Sequence, residues 1–184
     1  MIRQTSATVQ FKVDSYFHLI WDDASRLTQI EWLRRAPLQM TRHDSLPVQI
    51  STLLTDLRRY FLEGSPLSAV SIDHGGLLDL GRLSEFQKSV YREVSLIPHG
   101  ETRTYSWVAL RTGKPQAARA VGQALSRNPF PVVIPCHRVV SGKNLGGFMG
   151  TNDPTQEAMI LKSHLIEAER NYLNPTFAFM NGTL

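Results

Sequence analysis

Pro135-Cys136-His137-Arg138-Val139 sets the only cysteine of this 184-residue chain beside a histidine and an arginine. A thiol within reach of an imidazole that can take its proton is the ordinary start of nucleophilic chemistry by sulfur. Neighbouring positive charge, here Arg138 and a helix N-terminus, favours the reactive thiolate. Adjacent side chains of an extended strand point to opposite faces, so Cys136 and His137 cooperate only if the chain turns there. Pro135 is placed to force such a turn. The β-branched run Val132-Val133-Ile134, bracketed by Pro131 and Pro135, is expected as a short buried strand that delivers Cys136 to its end. A lone cysteine is more often an inert core thiol than a nucleophile, and the elements around it have to decide.

Those elements are legible. Ser84-Glu85-Phe86-Gln87 has the form of a capping box, and Phe86, Val90, Val94 and Ile97 recur on one face of the helix that Pro98-His99-Gly100 ends. A helix-turn-helix candidate follows. Thr104 or Ser106 caps a short helix through Leu110, Thr112-Gly113-Lys114-Pro115 makes the turn, and Gln116 to Arg127 forms the second helix with Pro115 at its first position. Ala117, Val121, Ala124 and Leu125 form its apolar stripe, and Gln116, Arg119, Ala120, Gln123 and Arg127 form the opposite face. The small residues Ala117, Ala118, Ala120 and Gly122 keep this helix thin enough to approach a groove, with Arg119 reaching past it. A solvated basic face of a surface helix fits the same pattern equally well.

Composition narrows the class. With 42% hydrophobic and 20% charged residues, the chain is an ordinary globular protein of one or two domains. No stretch approaches the roughly 20 apolar residues of a membrane span, and the first residues lack the apolar region of a signal peptide, so an intracellular protein is expected. One cysteine excludes an intrachain disulfide and a multi-cysteine zinc site, so a reducing compartment and a metal-free fold are expected. The net charge of +4 is uneven: residues 1–80 hold eight Lys/Arg against nine Asp/Glu, residues 81–184 twelve against seven. The cysteine thus lies in the basic part, which suits a polyanionic partner.

The fold expected is α+β, with a domain boundary near residue 80. In residues 1–80, Thr8 to Val13, Tyr16 to Trp21 and Gln29 to Trp32 read as strands, and Ile50, Leu53, Leu54, Leu57 and Phe61 mark a covering helix from Leu46 to Leu62. His18, His43 and His74 lack metal-ligand spacing and are read as satisfied or surface residues. Residues 81–172 form a mostly helical second domain, in which Asp153, Pro154 and Gln156 start a last helix whose Leu161, Leu165 and Ala168 face the core. Residues 173–184 form a tail carrying Phe177, Phe179 and Met180.

Taken together, Pro135-Cys136-His137-Arg138-Val139, Asn128-Pro129-Phe130-Pro131, Ala118-Arg119-Ala120-Val121-Gly122, the segment Gly100 to Tyr105 and Gly147-Phe148 strongly resemble the O6-alkylguanine-DNA alkyltransferases, also called methylated-DNA-protein-cysteine S-methyltransferases. The resemblance covers about residues 84 to 170. It implies a ribonuclease-H-like N-terminal sheet domain and a winged-helix-like helix-turn-helix. It further implies a single-turnover transfer of the alkyl group of O6-alkylguanine in double-stranded DNA, with O4-alkylthymine as a further substrate, to Cys136 of a monomeric protein. The compartment would be cytoplasmic in a bacterium or archaeon and nuclear in a eukaryote.

The resemblance also assigns roles. His137 takes the thiol proton through a water, Glu169 orients His137 with Glu167 as its competitor, Tyr105 donates a proton to the departing guanine, and Asn128 fixes the turns around the cysteine. Arg119 fills the gap left by the flipped base, on a surface with Gln116, Ala118, Ala120 and Gln123 that lies in the minor groove. Pro131, Val139, Phe148 and Met149 line the base pocket. Three features depart from the pattern: Trp107 stands for a usual Gln or Glu, Phe148 for a usual tyrosine, and residues 149–158 lengthen the connection to the last helix. A non-catalytic sensor of alkylated DNA would share the fold but lack the cysteine. A helix-turn-helix regulator gives no reason for Pro-Cys-His-Arg, and a cysteine hydrolase needs turnover and an oxyanion site that the sequence does not offer.

Overall fold

The computed structural model describes residues 5–12, 15–35, 46–68 and 76–174. The chain divides into two compact units, residues 1–82 and 83–184. Val13, His43, His74 and the tail residues Phe177, Phe179 and Met180 lie outside the described residues.

In the first unit, β1 (Thr5–Lys12), β2 (Ser15–Trp21) and β3 (Leu27–Leu33) form an antiparallel sheet in that order. Period-two alternation explains β2: Phe17, Leu19 and Trp21 are buried while Tyr16, His18 and Ile20 are half-buried. Asp22 closes the turn into β3 by accepting from the backbone N–H groups of Ala24 and Arg26 at 3.0 and 2.8 Å. His18 is satisfied by the Thr8 hydroxyl, 3.0 Å from Nδ1. α1 (Val48–Glu63) buries Ile50, Leu53, Leu54, Leu57 and Tyr60, and Gly64 in the left-handed region ends it, its N–H donating to the Tyr60 carbonyl. The expected Phe61 is half-buried and stacks on Phe17 with centroids 4.8 Å apart, so Tyr60 takes the fully buried place. The chain then returns along β3, where Leu27 and Asp79 exchange backbone bonds with Leu77 and Leu27.

In the second unit, α2 (Glu85–Ser95) starts at the Ser84–Gln87 capping box and buries Val90, Tyr91 and Val94. Tyr91 donates its hydroxyl to the Ala124 carbonyl at 2.9 Å, fastening α2 to α4 (Ala118–Ser126). A two-residue β4 (Arg103–Thr104) pairs in parallel with β5 (Val139–Val140), and α3 (Tyr105–Arg111) follows with Thr104 as its cap. Trp107 on α3 packs between the guanidinium groups of Arg103 and Arg111, 5.6 and 5.8 Å from its ring centre. α5 (Glu157–Leu173) closes the unit.

Three expectations need correction. The second helix begins at Ala118, not Gln116, because Lys114 to Ala117 first makes a turn in which the Ala117 N–H donates to the Lys114 carbonyl; Pro115 sits in that turn. α5 begins at Glu157, because Asp153 spends its carboxylate on the N–H and hydroxyl of Thr155, capping a separate turn three residues earlier. Val132-Val133-Ile134 is a buried turn, not a strand. The Ile134 N–H donates to the Phe130 carbonyl at 2.8 Å and Val132 takes a left-handed φ of 72°. The run stays buried, but its flanking prolines supply no N–H to a ladder.

Candidate active site

A β-branched residue at positive φ is strained, and the surroundings have to hold it there. Asn128 does so: its Oδ1 accepts from the Phe130 N–H at 3.0 Å and its Nδ2 donates to the Ile134 carbonyl at 3.0 Å, spanning the turn. The same Nδ2 lies 3.2 Å from Cys136 Sγ and donates to it. Cys136 then opens a single 3-10 turn, Cys136–Arg138, so Cys136 and His137 are not on opposite faces of a strand. Cys136 is 5% exposed and borders a cavity of about 400 Å³ lined by Tyr105, Gly122, Leu125, Phe148 and Thr151 among others.

Behind the thiol lies a charged cluster. His137 and Glu169 are both buried, with Nε2 2.8 Å from Oε1. Glu169 also accepts from the Gly100 N–H at 3.0 Å and from Arg138 Nε at 2.9 Å on Oε2 and Nη2 at 3.0 Å on Oε1. Arg138 in turn donates to the Ile97 carbonyl at 2.8 Å and to His99 Nδ1 at 3.2 Å. Glu167, the alternative partner, is exposed. Burial by itself would raise the Glu169 carboxyl, but His137 and Arg138 outweigh it and hold the group well below the usual carboxylate range. An ionised Glu169 accepts the Nε2 proton, which fixes Nδ1 as the basic nitrogen of a neutral ring.

Burial pushes the Cys136 thiol up, opposed by the Asn128 bond and the charge of Lys162. Burial likewise pushes His137 down, opposed by Glu169. The resting pair is therefore a neutral thiol and a neutral imidazole, and no ion pair has to be dismantled before reaction. Arg138, expected to favour the thiolate, is instead engaged with Glu169. Tyr105 faces the same cavity; its hydroxyl donates to the Gly147 carbonyl at 3.2 Å and accepts from the Gly147 N–H at 3.1 Å, and burial raises its pKa against the bond from that N–H.

On α4, Arg119 and Gln123 are exposed, Ala118 and Ala120 are half-buried, and Gln116 is exposed in the preceding turn. Of the four residues expected at the pocket, Phe148 lines the cavity, whereas Pro131, Val139 and Met149 are not among its lining residues. Pro131 and Val139 are buried, and the Val139 carbonyl is taken by Lys162 Nζ at 2.6 Å. Lys162 escaped the sequence reading. Its signal was present: it lies on the stripe of α5 that buries Met159, Leu165, Ile166 and Glu169, a place where a charge requires a reason.

A family model, 6-O-methylguanine DNA methyltransferase, DNA binding domain, matches residues 85–171. The constitutive methylated-DNA–protein-cysteine methyltransferase of Bacillus subtilis is 33% identical over 147 residues, 78% of this chain and 80% of its own. The chain belongs to the methylated-DNA–protein-cysteine methyltransferase family. A second methyltransferase of that name, from Methanothermobacter thermautotrophicus, is 44% identical over 128 residues, which is 69% of this chain and 65% of the relative's length, a little under two thirds. A crystal structure of Mycobacterium tuberculosis OGT in complex with DNA superposes with a TM-score of 0.67 at 29% identity, covering 91% of this chain and 93% of that one. Its likeness over nearly the whole length carries the α+β architecture across both units.

The connection after Phe148 has a definite shape. Phe148 and Thr151 exchange both backbone bonds, at 2.8 and 3.0 Å, around a turn with Met149 and Gly150 at φ 47° and 84°. That turn carries Gly150, Thr151 and Asn152 onto the cavity wall and aims Met149 elsewhere.

Proposed function

We propose that the protein repairs DNA by moving the alkyl group of an O6-alkylguanine, with O4-alkylthymine as a further substrate, to Sγ of its own Cys136. The observation that carries this reading is the cavity that ends on a buried thiol, with Asn128 on the sulfur and the Glu169-bound imidazole next in the chain. The base enters the cavity only after rotating out of the duplex stack. His137 Nδ1 takes the thiol proton through a water, Sγ attacks the alkyl carbon, a carbon–sulfur bond forms and the carbon–O6 bond breaks. Tyr105 protonates the departing guanine and regains its proton from the imidazolium through solvent. The thioether is stable in water, so each chain acts once and needs neither cofactor nor metal.

Double-stranded DNA is the partner in this reading. α4 enters the minor groove, Arg119 fills the gap left by the flipped base, and Gln116, Ala118, Ala120 and Gln123 form the contacting surface. Residues 81–172 carry the chemistry, the α3–turn–α4 unit with the β4–β5 pair is winged-helix-like, and the first unit is ribonuclease-H-like. The protein acts as a monomer in this reading. The DNA substrate puts the protein in the cytoplasm of a prokaryote or the nucleus of a eukaryote.

The test is the intact mass of the protein before and after incubation with a duplex containing one O6-methylguanine, followed by peptide mapping. One methyl group on Cys136 is expected. Tight binding of the lesion with no change in mass would replace this reading by that of a sensor.

A further inference from the structure

The turn that follows α2 meets the Arg138–Glu169 ion pair with groups that match it one by one. The Ile97 carbonyl accepts from Arg138 Nη1 at 2.8 Å, His99 Nδ1 accepts from Arg138 Nη2 at 3.2 Å, and the Gly100 N–H donates to Glu169 Oε2 at 3.0 Å. Of these three groups, only the imidazole can change character. A guanidinium has no acceptor, so the contact requires an unprotonated Nδ1 and places the ring proton of His99 on Nε2. Arg138 Nη2 thereby gives its two hydrogens to His99 and to Glu169 Oε1, the second at 3.0 Å. That oxygen is the one that accepts from His137 Nε2 at 2.8 Å.

His99 is half-buried and within reach of the same oxygen, with Nδ1 3.7 Å from Glu169 Oε1. Facing its ring are Arg138 from the cysteine turn and Glu169 and Tyr172 from α5, the last edge-on with centroids 5.8 Å apart; His137 meets it through Oε1. A proton on Nδ1 turns this acceptor into a donor and sets two positive groups against each other. An anionic acceptor for that proton is Oε1, whose lone pairs are already taken by His137 and Arg138. Seating a third donor there disturbs the alignment of the carboxylate with His137.

We propose that His99 is a positioning residue for the Glu169–His137 pair: its neutral Nδ1 holds Arg138 square against Glu169, and protonation of His99 by solvent reverses the contact and loosens Glu169 from His137. This role rests on His137 being the proton acceptor proposed above, while its test needs neither DNA nor alkyl transfer. The observable is exchange of the His137 Nε2 proton with solvent, followed by NMR and assigned by its loss in His137→Gln. His99→Asn offers an amide oxygen near the place of Nδ1 and cannot be protonated, whereas His99→Leu fills space against Tyr172 without an acceptor. At about pH 7.5 exchange should be about tenfold faster in His99→Leu than in wild type, with His99→Asn close to wild type. At about pH 5.5, below the ordinary imidazole range, wild type should exchange about tenfold faster than His99→Asn, while His137 stays neutral because burial pushes it down. A ring that serves only as packing gives His99→Asn and His99→Leu equal rates, and that result would overturn the proposal. So would equal rates of wild type and His99→Asn at about pH 5.5.

If a variant does not fold, the wild-type chain decides alone. As pH falls, the Arg138 side-chain N–H signals and the His137 Nε2 proton should shift together with the His99 ring signals. Signals that stay fixed through that titration, or a His99 ring that does not titrate above about pH 5, would overturn the proposal. Failure of the wild-type chain to accept methyl from O6-methylguanine would refute the repair reading and leave this result standing.

Discussion

The two units treat buried polarity in opposite ways. Among the described residues of the first, Ser65 is the only buried polar side chain, beneath an otherwise apolar set of Phe17, Leu19, Leu27, Ile50, Leu53, Leu54 and Leu57. The second buries His137, Lys162 and Glu169. Burying charge opposes folding unless partners compensate, and an apolar core of the same size is commonly as stable or more so. The second unit therefore carries an arrangement that stability alone does not call for, and it carries it around the one cysteine. The difference separates a unit organised for packing from one organised for chemistry.

That contrast can be broken from either side. Glu169→Ala leaves His137 and Arg138 without their shared carboxylate, and should cost about 3–5 kcal/mol in urea unfolding together with most of the transfer rate. Leu54→Ala on α1 should cost a comparable or smaller amount, about 2–5 kcal/mol, while folded molecules transfer at the wild-type rate. Equal damage to transfer by both variants would erase the distinction between the units.

Acid sharpens it further. Glu169 has a folded pKa below its unfolded value, so its contribution to stability is complete above about pH 4.3 and is lost as pH falls through the folded value. His137 is lowered as well, so its contribution is complete above about pH 6.5 and shrinks below it. Urea midpoints should therefore fall between neutral pH and pH 4, and the loss below about pH 4.3 should be smaller in Glu169→Gln. The smallest effect on stability is expected for the exposed Arg119: Arg119→Ala should leave the unfolding midpoint in place, yet slow repair of duplex more than reaction with free O6-alkylated base. Equal losses on the two substrates would remove the role proposed for that side chain.

Much of this was legible in the residues because local chemistry and tertiary structure agree. Ser84 and Gln87 announce α2, and the alternation of Phe17, Leu19 and Trp21 announces β2. The failures share a cause. Val132-Val133-Ile134 has the composition of a strand, but the Asn128 side chain, contributed from outside the run, replaces the ladder and stabilises a turn. Asp153 and Pro115 are good helix starters that serve the turn before the helix. Glu169 and Glu167 could not be separated by spacing near a helix end, whereas the geometry separates them through His137, Arg138 and Gly100. Lys162 was passed over because a lysine reads as surface unless its place on the apolar stripe is weighed first.

In the proposed reaction one chain accepts one alkyl group on one sulfur. The most direct measurement gives the protein a tenfold excess of O6-methylguanine duplex and counts guanines restored per chain at completion, for wild type and Cys136→Ser. A plateau at one is expected for wild type and none for Cys136→Ser. Restoration that continues past one equivalent, or that survives in Cys136→Ser, would contradict it.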